Sequence, residues 1–389
     1  MSILEFKPKF DIRNYKKYII MGIIAVILIT LVLFYCFNSN FRNFITIYVF
    51  RKSISQDKLT TISLNEEESS FSYAYDKYIV VLSKNTLSTY NSSGNVISEN
   101  EVTIASPIFS SNNRFLAVAE NNGDSIYLVS GSNIIWQGKV DGKISKINVN
   151  NNGYISVILT GTSYKSIVIS FDSKGNELFK TYLSNTTAID MDISNDNKYL
   201  SIAEIDYSGA ITKSMIKTIS IEKAKNDPSN SVIYSFSAEE NHLLSNINYG
   251  SKNILSCMYN DSVHLLNINE QLDNKIIDFN TNYNFVDINL KNNILYTENK
   301  SFGLSTNSNL NIQNIQTNSI SSYSLKGSIK SIYCNNDKIA INTGSELHFV
   351  ALNGWLIKKC SSTSEINNII LGDSVAGITY KDKIEIIQF

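Results

Sequence analysis

The chain has 389 residues and a formal net charge of −1, with 43% hydrophobic and 18% charged residues. This apolar content argues against disorder, the near-neutral charge disfavours a nucleic-acid binder, and four Cys exclude a disulfide scaffold. Abundant Ile, Tyr, Thr, Ser and Asn favour β-strands joined by polar turns.

An uncharged apolar segment, Tyr18–Phe37, lies near the N-terminus. As an α-helix it would span about 30 Å, which matches the hydrocarbon core of a bilayer. It is longer than the apolar region of a signal peptide, and no small-residue cleavage site follows it. Lipoprotein processing at Cys36 would need a small residue where Tyr35 stands. We therefore predict a transmembrane helix over 18–37 that contacts the lipid bilayer.

Basic residues flank this span unequally. Those before it are concentrated, namely Lys7, Lys9, Arg13, Lys16 and Lys17, whereas those after it are dispersed. The positive-inside rule then predicts a cytoplasmic basic tail over 1–17 and an exported remainder. Residues 38–58 carry apolar side chains at helical spacing and are predicted to form either a juxtamembrane helix or a plain stalk.

From residue 59 onward one unit recurs eight times: a short strand, a polar turn and a more continuous apolar strand. The turns are Asp76-Lys77, Asn112-Asn113, Asn151-Asn152, Asp196-Asn197, Ser251-Lys252, Lys291-Asn292, Asn335-Asn336 and Gly372-Asp373. Their mean spacing of about 42 residues is typical of four-stranded propeller blades. The sequence therefore predicts an all-β fold: an eight-bladed β-propeller over 59–389, preceded by one transmembrane helix. Seven blades stay possible because the sixth unit is weak.

The last unit has room for only three strands. The alternating segment 58–64 precedes the first complete blade and could supply the missing outer strand of the last one. This pairing would join the two ends of the ring and remove two exposed sheet edges.

Glycine marks a second recurring turn, which is predicted to be the hairpin between the third and fourth strands of a blade. The glycines are Gly94, Gly131, Gly175 and Gly354, and each would supply a positive φ. Trp136 and Trp355 follow two of these turns and are expected to pack in blade cores.

Two stretches carry a family resemblance. Ser106–Val118, which reads Ser-Pro-x-Phe-Ser-x-Asn-x-x-Phe-Leu-Ala-Val, and residues 190–202 resemble WD-repeat-like propellers. The Gly-x-x-x-x-Trp hairpin is similar to a blade feature of quinoprotein-like propellers. Together with its apolar N-terminal segment, the chain resembles uncharacterised single-pass membrane-anchored β-propeller proteins of Gram-positive bacteria. The resemblance implies a fold and hardly any activity.

Motifs that carry chemistry are largely missing from the sequence. Gly-x-Ser-x-Gly, phosphate-binding loops and repeated quinone-docking units are absent, and His242, His264 and His348 are isolated. Cys257, Cys334 and Cys360 show no Cys-x-x-Cys spacing and are expected to be buried apolar residues, with a Cys334–Cys360 disulfide left open. We expect no catalytic residues, no metal, no cofactor and no enzymatic activity.

Two features remain candidates for function. Asp190-Met191-Asp192 places two carboxylates on one face of a predicted strand, either as an acidic or cation-binding patch or as hydrogen-bond acceptors within the blade. The longest blade contains an insertion around residues 221–231, and long loops on a rigid scaffold often bind partners. Its candidate interaction residues are Glu222, Lys223, Lys225, Asp227 and Pro228.

These features favour a non-enzymatic, membrane-tethered β-propeller that serves as an extracytoplasmic protein-interaction platform. Its expected location is the cell membrane, with the N-terminus in the cytoplasm and the propeller outside. The expected partner is a protein or peptide of unknown identity and not a nucleic acid. The alternative is a saccharide-binding or cell-envelope-processing enzyme with its site at a channel mouth, where propellers gather polar side chains without a linear motif.

Overall fold

The computed structural model describes residues 12–38, 41, 45, 59–65, 68–240, 242–279, 283–302, 305–361 and 364–389. Internal contacts divide the chain into two units, Met1–Ser53 and Ile54–Phe389. The predictions for the tail 1–17 and for the segment 38–58 fall mainly outside the described residues.

Helix α1 (Ile12–Phe37) contains the predicted apolar segment. Its window Ile20–Phe37 has a mean hydropathy of 2.9, and none of it is buried. The exposed side chains are aliphatic or aromatic, for example Val26 and Phe34. The helix is therefore long and apolar enough to cross a membrane, a property that membrane spans share with signal sequences.

Within its described residues, the second unit is built from strands, one short helix and two 3₁₀ turns. In chain order the strands are β1 (Thr60–Ser63), β2 (Ser70–Tyr75), β3 (Tyr78–Ser83), β4 (Thr86–Tyr90), β5 (Val96–Glu101), β6 (Pro107–Asn112), β7 (Phe115–Glu120), β8 (Ser125–Ser130), β9 (Asn133–Lys139), β10 (Lys143–Val149), β11 (Ile155–Thr160), β12 (Ser166–Phe171), β13 (Glu177–Leu183), β14 (Thr187–Ile193), β15 (Tyr199–Asp206), β16 (Lys213–Ser220), β17 (Val232–Ser237), β18 (Leu244–Tyr249), β19 (Ile254–Tyr259), β20 (Ser262–Asn267), β21 (Leu272–Asp278), β22 (Tyr283–Leu290), β23 (Asn293–Phe302), β24 (Ser305–Asn314), β25 (Ile320–Lys326), β26 (Ser331–Asn335), β27 (Lys338–Asn342), β28 (Glu346–Ala351), β29 (Leu356–Ser361), β30 (Asn368–Leu371), β31 (Val375–Thr379) and β32 (Lys383–Gln388). Helix α2 (Ile221–Asn226) and the 3₁₀ turns Pro228–Asn230 and Ser251–Asn253 complete the set.

The strands form eight four-stranded antiparallel sheets within the described residues. Blades 1 to 7 are β2–β5, β6–β9, β10–β13, β14–β17, β18–β21, β22–β25 and β26–β29, and blade 8 is β30, β31, β32 and β1. The first strand of each blade contacts the first strands of its two neighbours, and β2 contacts β30. The predicted eight-bladed β-propeller is therefore confirmed, and seven blades are excluded.

The ring is closed by the strand nearest the N-terminal side of the propeller. β1 pairs antiparallel with β32, with Thr60 opposite Ile386 and Ser63 opposite Lys383. Ile62 is 3% exposed and packs with Ile384 and Ile386 and with blade 1 residues. The outer strand of blade 8 thus comes from the segment to which the sequence pattern assigned it.

Polar turns fall where the repeat placed them, between the first and second strands of each blade. Seven of the eight contain a residue with left-handed backbone: Asp76, Asn113, Gly153, Asn197, Lys252, Asn292 and Asn336. Asn, Asp and Gly tolerate this conformation best, which explains their recurrence. The hairpins between the third and fourth strands lie on the same side of the ring as these polar turns. We term this side the turn face and the opposite side the loop face.

The predicted glycine hairpins are also confirmed. Gly94, Gly131, Gly175 and Gly354 all have positive φ and precede β5, β9, β13 and β29. The expectation for the two tryptophans holds only in part. Trp136 packs on the core of blades 2 and 3, whereas Trp355 is 59% exposed, because it lies in the turn itself rather than inside the strand.

Candidate functional site

The central channel is lined by the first strand of every blade, and each of these strands is the free edge of its sheet. Polar side chains of the preceding blade form hydrogen bonds with backbone groups of these edge strands. Asp190 accepts hydrogen bonds from the Ile247 backbone N–H at 2.9 Å and from Lys146 Nζ at 2.7 Å, and Asp192 accepts one from the Tyr249 N–H at 2.6 Å. Both carboxylates therefore act as backbone acceptors between blades 4 and 5, because an unpaired buried N–H is costly.

The same device recurs around the ring with other residue types. Ser110 Oγ accepts from the Val149 N–H at 3.1 Å, and Asn248 Nδ2 donates to the Ile288 carbonyl at 2.7 Å. Much of the polar content of the channel wall is thus engaged in holding neighbouring blades together.

Burial changes the chemistry of two channel carboxyls. It raises the pKa of Asp192 to about 7; the charge of Asp190 adds to this effect, and the N–H donors of Tyr249 and Ile193 oppose it. Burial also raises the pKa of Asp287, whose carboxylate accepts from the Asn289 N–H at 2.6 Å. Both carboxyls are therefore poised to carry a proton at a higher pH than exposed aspartates.

A cavity of about 850 Å³ occupies the channel at the turn face. Its wall is rich in amides and carboxylates, including Asn148, Asn246, Asn289, Asp287, Asp373 and the Asp190–Asp192 pair. One part is aromatic, where the Tyr73 and Phe109 rings stack with centroids 5.1 Å apart. A second cavity of about 610 Å³ shares these two rings and opens at the loop face.

Asparagine side chains join the turns of neighbouring blades on the turn face. Such contacts are Asn152 Nδ2 to the Asn195 carbonyl at 2.9 Å, Asn292 Nδ2 to Ser251 Oγ at 2.8 Å, and Asn336 Nδ2 to Asp373 Oδ1 at 2.9 Å. The Ser374 N–H donates to the Asp76 carbonyl at 2.9 Å and links blade 8 to blade 1. These asparagines therefore stabilise the contacts between neighbouring blades.

Three exposed tyrosines form a patch on the loop face of blades 3 and 4. Tyr164 and Tyr182 contact each other with ring centroids 4.8 Å apart. Lys165 Nζ lies 4.1 Å from the ring centroid of Tyr207, and Thr187 Oγ1 donates to the Tyr207 hydroxyl at 3.2 Å. We term Tyr164, Lys165, Tyr182 and Tyr207 the tyrosine patch.

The tyrosine patch combines large apolar area with polar edges. Tyr164, Tyr182 and Tyr207 are 37%, 52% and 56% exposed, and Ile211 beside Tyr207 in sequence is 43% exposed. Tyrosine is enriched at protein interfaces because its ring buries much surface and loses few rotamers. The arrangement can bind a partner by ring stacking, hydrogen bonding and the Lys165 cation.

The predicted interaction residues lie elsewhere, on the turn face of blade 4. Glu222, Lys223 and Lys225 are exposed on α2, and Asp227 caps the 3₁₀ turn that begins at Pro228. Ile221 and Ala224 are buried against blades 3 and 4, so the insertion is a packed helix rather than an open loop. Its role in binding stays a prediction.

Histidine and cysteine side chains are dispersed through the blades. His264 Nδ1 lies 2.9 Å from an Asp273 carboxylate oxygen, and the Tyr323 hydroxyl lies 2.7 Å from His348 Nδ1. Cys257 and Cys360 are buried as expected, Cys334 is partly buried, and all four cysteines are free thiols, so the Cys334–Cys360 disulfide does not form. In the part of the chain that the structure describes, no three His, Cys, Asp or Glu side chains are grouped to hold a metal ion.

Comparison with known protein families identifies the family of this chain. Residues 50–389 match the family of unknown function DUF5711. The chain belongs to this family. The predicted resemblance to uncharacterised propeller proteins is thereby confirmed, while the predicted Gram-positive origin and membrane location stay predictions. No curated protein matches this chain.

Three solved structures are similar to this DUF5711 protein at low sequence identity. BamB from Moraxella catarrhalis is 10% identical with a TM-score of 0.48, over 85% of this chain and 97% of that one. Apo AztD from Citrobacter koseri is 12% identical with a TM-score of 0.45, over 76% and 86%. The Cps50 β-propeller domain from Myceliophteria thermophila is 9% identical with a TM-score of 0.44, over 85% and 99%.

Sequence reasoning missed the tyrosine patch of this DUF5711 protein. Tyr164, Lys165 and Tyr182 belong to blade 3, where the β11–β12 connection meets β13, and the stacking of blade 4 on blade 3 adds Tyr207. One local signal was present, because Tyr164 and Tyr207 both stand in polar connections, where a large ring has no core to enter.

Proposed function

We propose that this DUF5711 protein is a membrane-tethered, extracytoplasmic β-propeller that binds a protein partner through its tyrosine patch, and that it acts by binding rather than catalysis. The observation that carries the proposal is the patch itself. It brings three exposed rings and one lysine together on the rigid loop face. Such a surface supplies the aromatic anchors from which hot spots are built.

The tether is supported by α1. Its apolar window is fully exposed, so burial in a bilayer would remove a large apolar surface from water. The basic residues that precede it favour a cytoplasmic N-terminus. Protease added to wall-stripped cells should digest the propeller and spare the tail, and full protection of the propeller would overturn the exported orientation.

Replacing the three tyrosines by serine should abolish partner capture without unfolding the propeller. A variant with Tyr164→Ser, Tyr182→Ser and Tyr207→Ser removes about 1–2 kcal/mol of binding per ring, or about 3–6 kcal/mol in all, which lowers affinity roughly a hundredfold or more. The measurement is crosslinking followed by pull-down of the full chain from its native membrane, compared with an anchor-only chain.

The matched control is a variant with Val96→Ser, Leu272→Ser and Ile320→Ser, which removes three exposed apolar side chains from the turn face. It should capture the same protein as the wild type. The proposal fails if no protein is enriched over the anchor-only chain, or if the tyrosine variant captures it as well as the wild type does.

The second candidate is a saccharide or enzymatic site at the channel mouth. The observation in its favour is the cavity of about 850 Å³, in which the Tyr73–Phe109 stack faces carboxylates. It ranks second because Asp190 and Asp192 already bind the backbone of β18. The channel-mouth site would be supported if a cell-envelope saccharide binds the tyrosine-to-serine variant normally but fails to bind a Tyr73→Ala variant.

A further inference from the structure

A row of exposed apolar side chains follows the outer edge of the turn face. In six of the eight blades, a large apolar residue lies just before the outer strand or within its first three residues. These residues, termed the outer apolar row, are Val96, Ile97, Ile135, Val232, Leu272, Ile320 and Trp355, with exposures from 43% to 59%. Because the outer strand of each of these blades begins at the turn face, residues at its start all lie on one side of the ring.

The outer apolar row differs chemically from the tyrosine patch on the loop face. It consists of Ile, Leu, Val and one Trp, which bring no hydroxyl groups to a polar partner. Single exposed aliphatic residues are ordinary on protein surfaces. Their repetition around one rim, with a tryptophan among them, is the pattern of a surface that meets the interfacial region of a bilayer.

The path of the chain brings its N-terminal side to this same face. β1 is the outer strand of blade 8, and its first residue, Thr60, pairs with Ile386 near the end of β32. Since β32 runs from the loop face to the turn face, β1 begins at the turn face. The N-terminal end of the propeller therefore lies at the rim that carries the outer apolar row.

We propose that the propeller rests with its turn face on the lipid surface, so that the outer apolar row enters the interfacial region and the tyrosine patch points away from the membrane. This inference rests on the membrane tether proposed above. Lys223 and Lys225 of α2, which precede Val232 in the connection to β17, would meet lipid phosphates. Of the predicted interaction residues, these two lysines then serve lipid contact rather than a protein partner.

The two tryptophans provide a direct test with an internal control. The full chain is reconstituted in vesicles of phosphatidylcholine and phosphatidylglycerol, with or without bromine on the acyl chains. In a Trp136→Phe variant Trp355 is the only tryptophan, and brominated lipid should quench its fluorescence, excited selectively over tyrosine, roughly twofold because interfacial Trp rings sit at headgroup level. In a Trp355→Phe variant the partly buried Trp136 should keep its fluorescence.

A second pair of variants guards against misfolding of the first. In a chain lacking both native tryptophans, Ile320→Trp should be quenched and Tyr182→Trp should not, since these residues lie on opposite faces. Equal quenching at the two positions overturns the inference. The absence of quenching at both positions also overturns it, and this is the result expected if a protein or a second copy of the chain covers the outer apolar row. Carbonate extraction separates the two proposals: release of the chain overturns the tether, whereas an inserted chain with unquenched Trp355 overturns only the orientation.

Discussion

An Ile62→Asp variant is expected to lose about 4 kcal/mol or more of the free energy of unfolding, enough to abolish cooperative folding of many domains. Ile62 is 3% exposed and is the buried residue of β1, where it packs with Ile384 and Ile386. An unpaired carboxylate there would displace β1 and leave β32 as an open sheet edge. The loss would open the ring at the point where its ends meet.

Urea unfolding followed by circular dichroism measures this loss. Because Ile62→Asp could fail to fold at all, Ile62→Val supplies a graded variant that should cost about 1 kcal/mol. Ser63→Asp is the matched control, since Ser63 is exposed on the same strand opposite Lys383 and its replacement should cost less than about 0.5 kcal/mol. An unfolding midpoint for Ile62→Asp equal to that of Ser63→Asp would contradict the role of β1 in closure.

The second large effect concerns pH. Burial raises the pKa of Asp192 from 3.8 to about 7, so the folded protein holds a proton that the unfolded chain releases. The stability that this proton contributes is complete below the unfolded pKa and is lost as pH rises through the folded one. Relative to an Asp192→Asn variant, the wild type should lose about 3 kcal/mol of unfolding free energy between about pH 5 and pH 8.

The measurement is the urea unfolding free energy of both proteins at several pH values, so that the other carboxyl groups cancel in the difference. Asp141→Asn, at an exposed carboxyl, is the charge-matched control and should show no such trend. A difference between wild type and Asp192→Asn that stays constant across the range would show that the folded carboxyl is ionised throughout and that its N–H donors outweigh burial.

The architecture was predictable because each blade repeats the same local chemistry. Asn, Asp or Gly is favoured where the backbone is left-handed, as at Asn113 and Asn197, so most of the turns mark the blades directly in the sequence. The partner strand of β32 was predictable because only one alternating segment was left unassigned. Periodicity and turn chemistry are both local, and both are visible without coordinates.

The candidate site was not predictable by the same means. Asp190 and Asp192 could be placed on one face of a strand, but their acceptor role depends on where β18 lies, 57 residues later in the chain. The insertion at 221–231 is a polar segment in sequence, yet the burial of Ile221 and Ala224 turns it into a packed helix. The tyrosine patch is invisible in sequence because Tyr182 meets Tyr164 only in the folded blade 3, and Tyr207 joins them only when blade 4 stacks on it.

Site-specific photocrosslinking in the native membrane tests the central claim most directly. A photoreactive phenylalanine analogue at position 182 or 207, in the tyrosine patch, should form a covalent adduct with one protein, and the same analogue at position 320 on the turn face should not. Adduct formation at 182 and 207 alone would support a loop-face partner. The absence of any protein adduct at these two positions, or the same adduct at position 320, would contradict it.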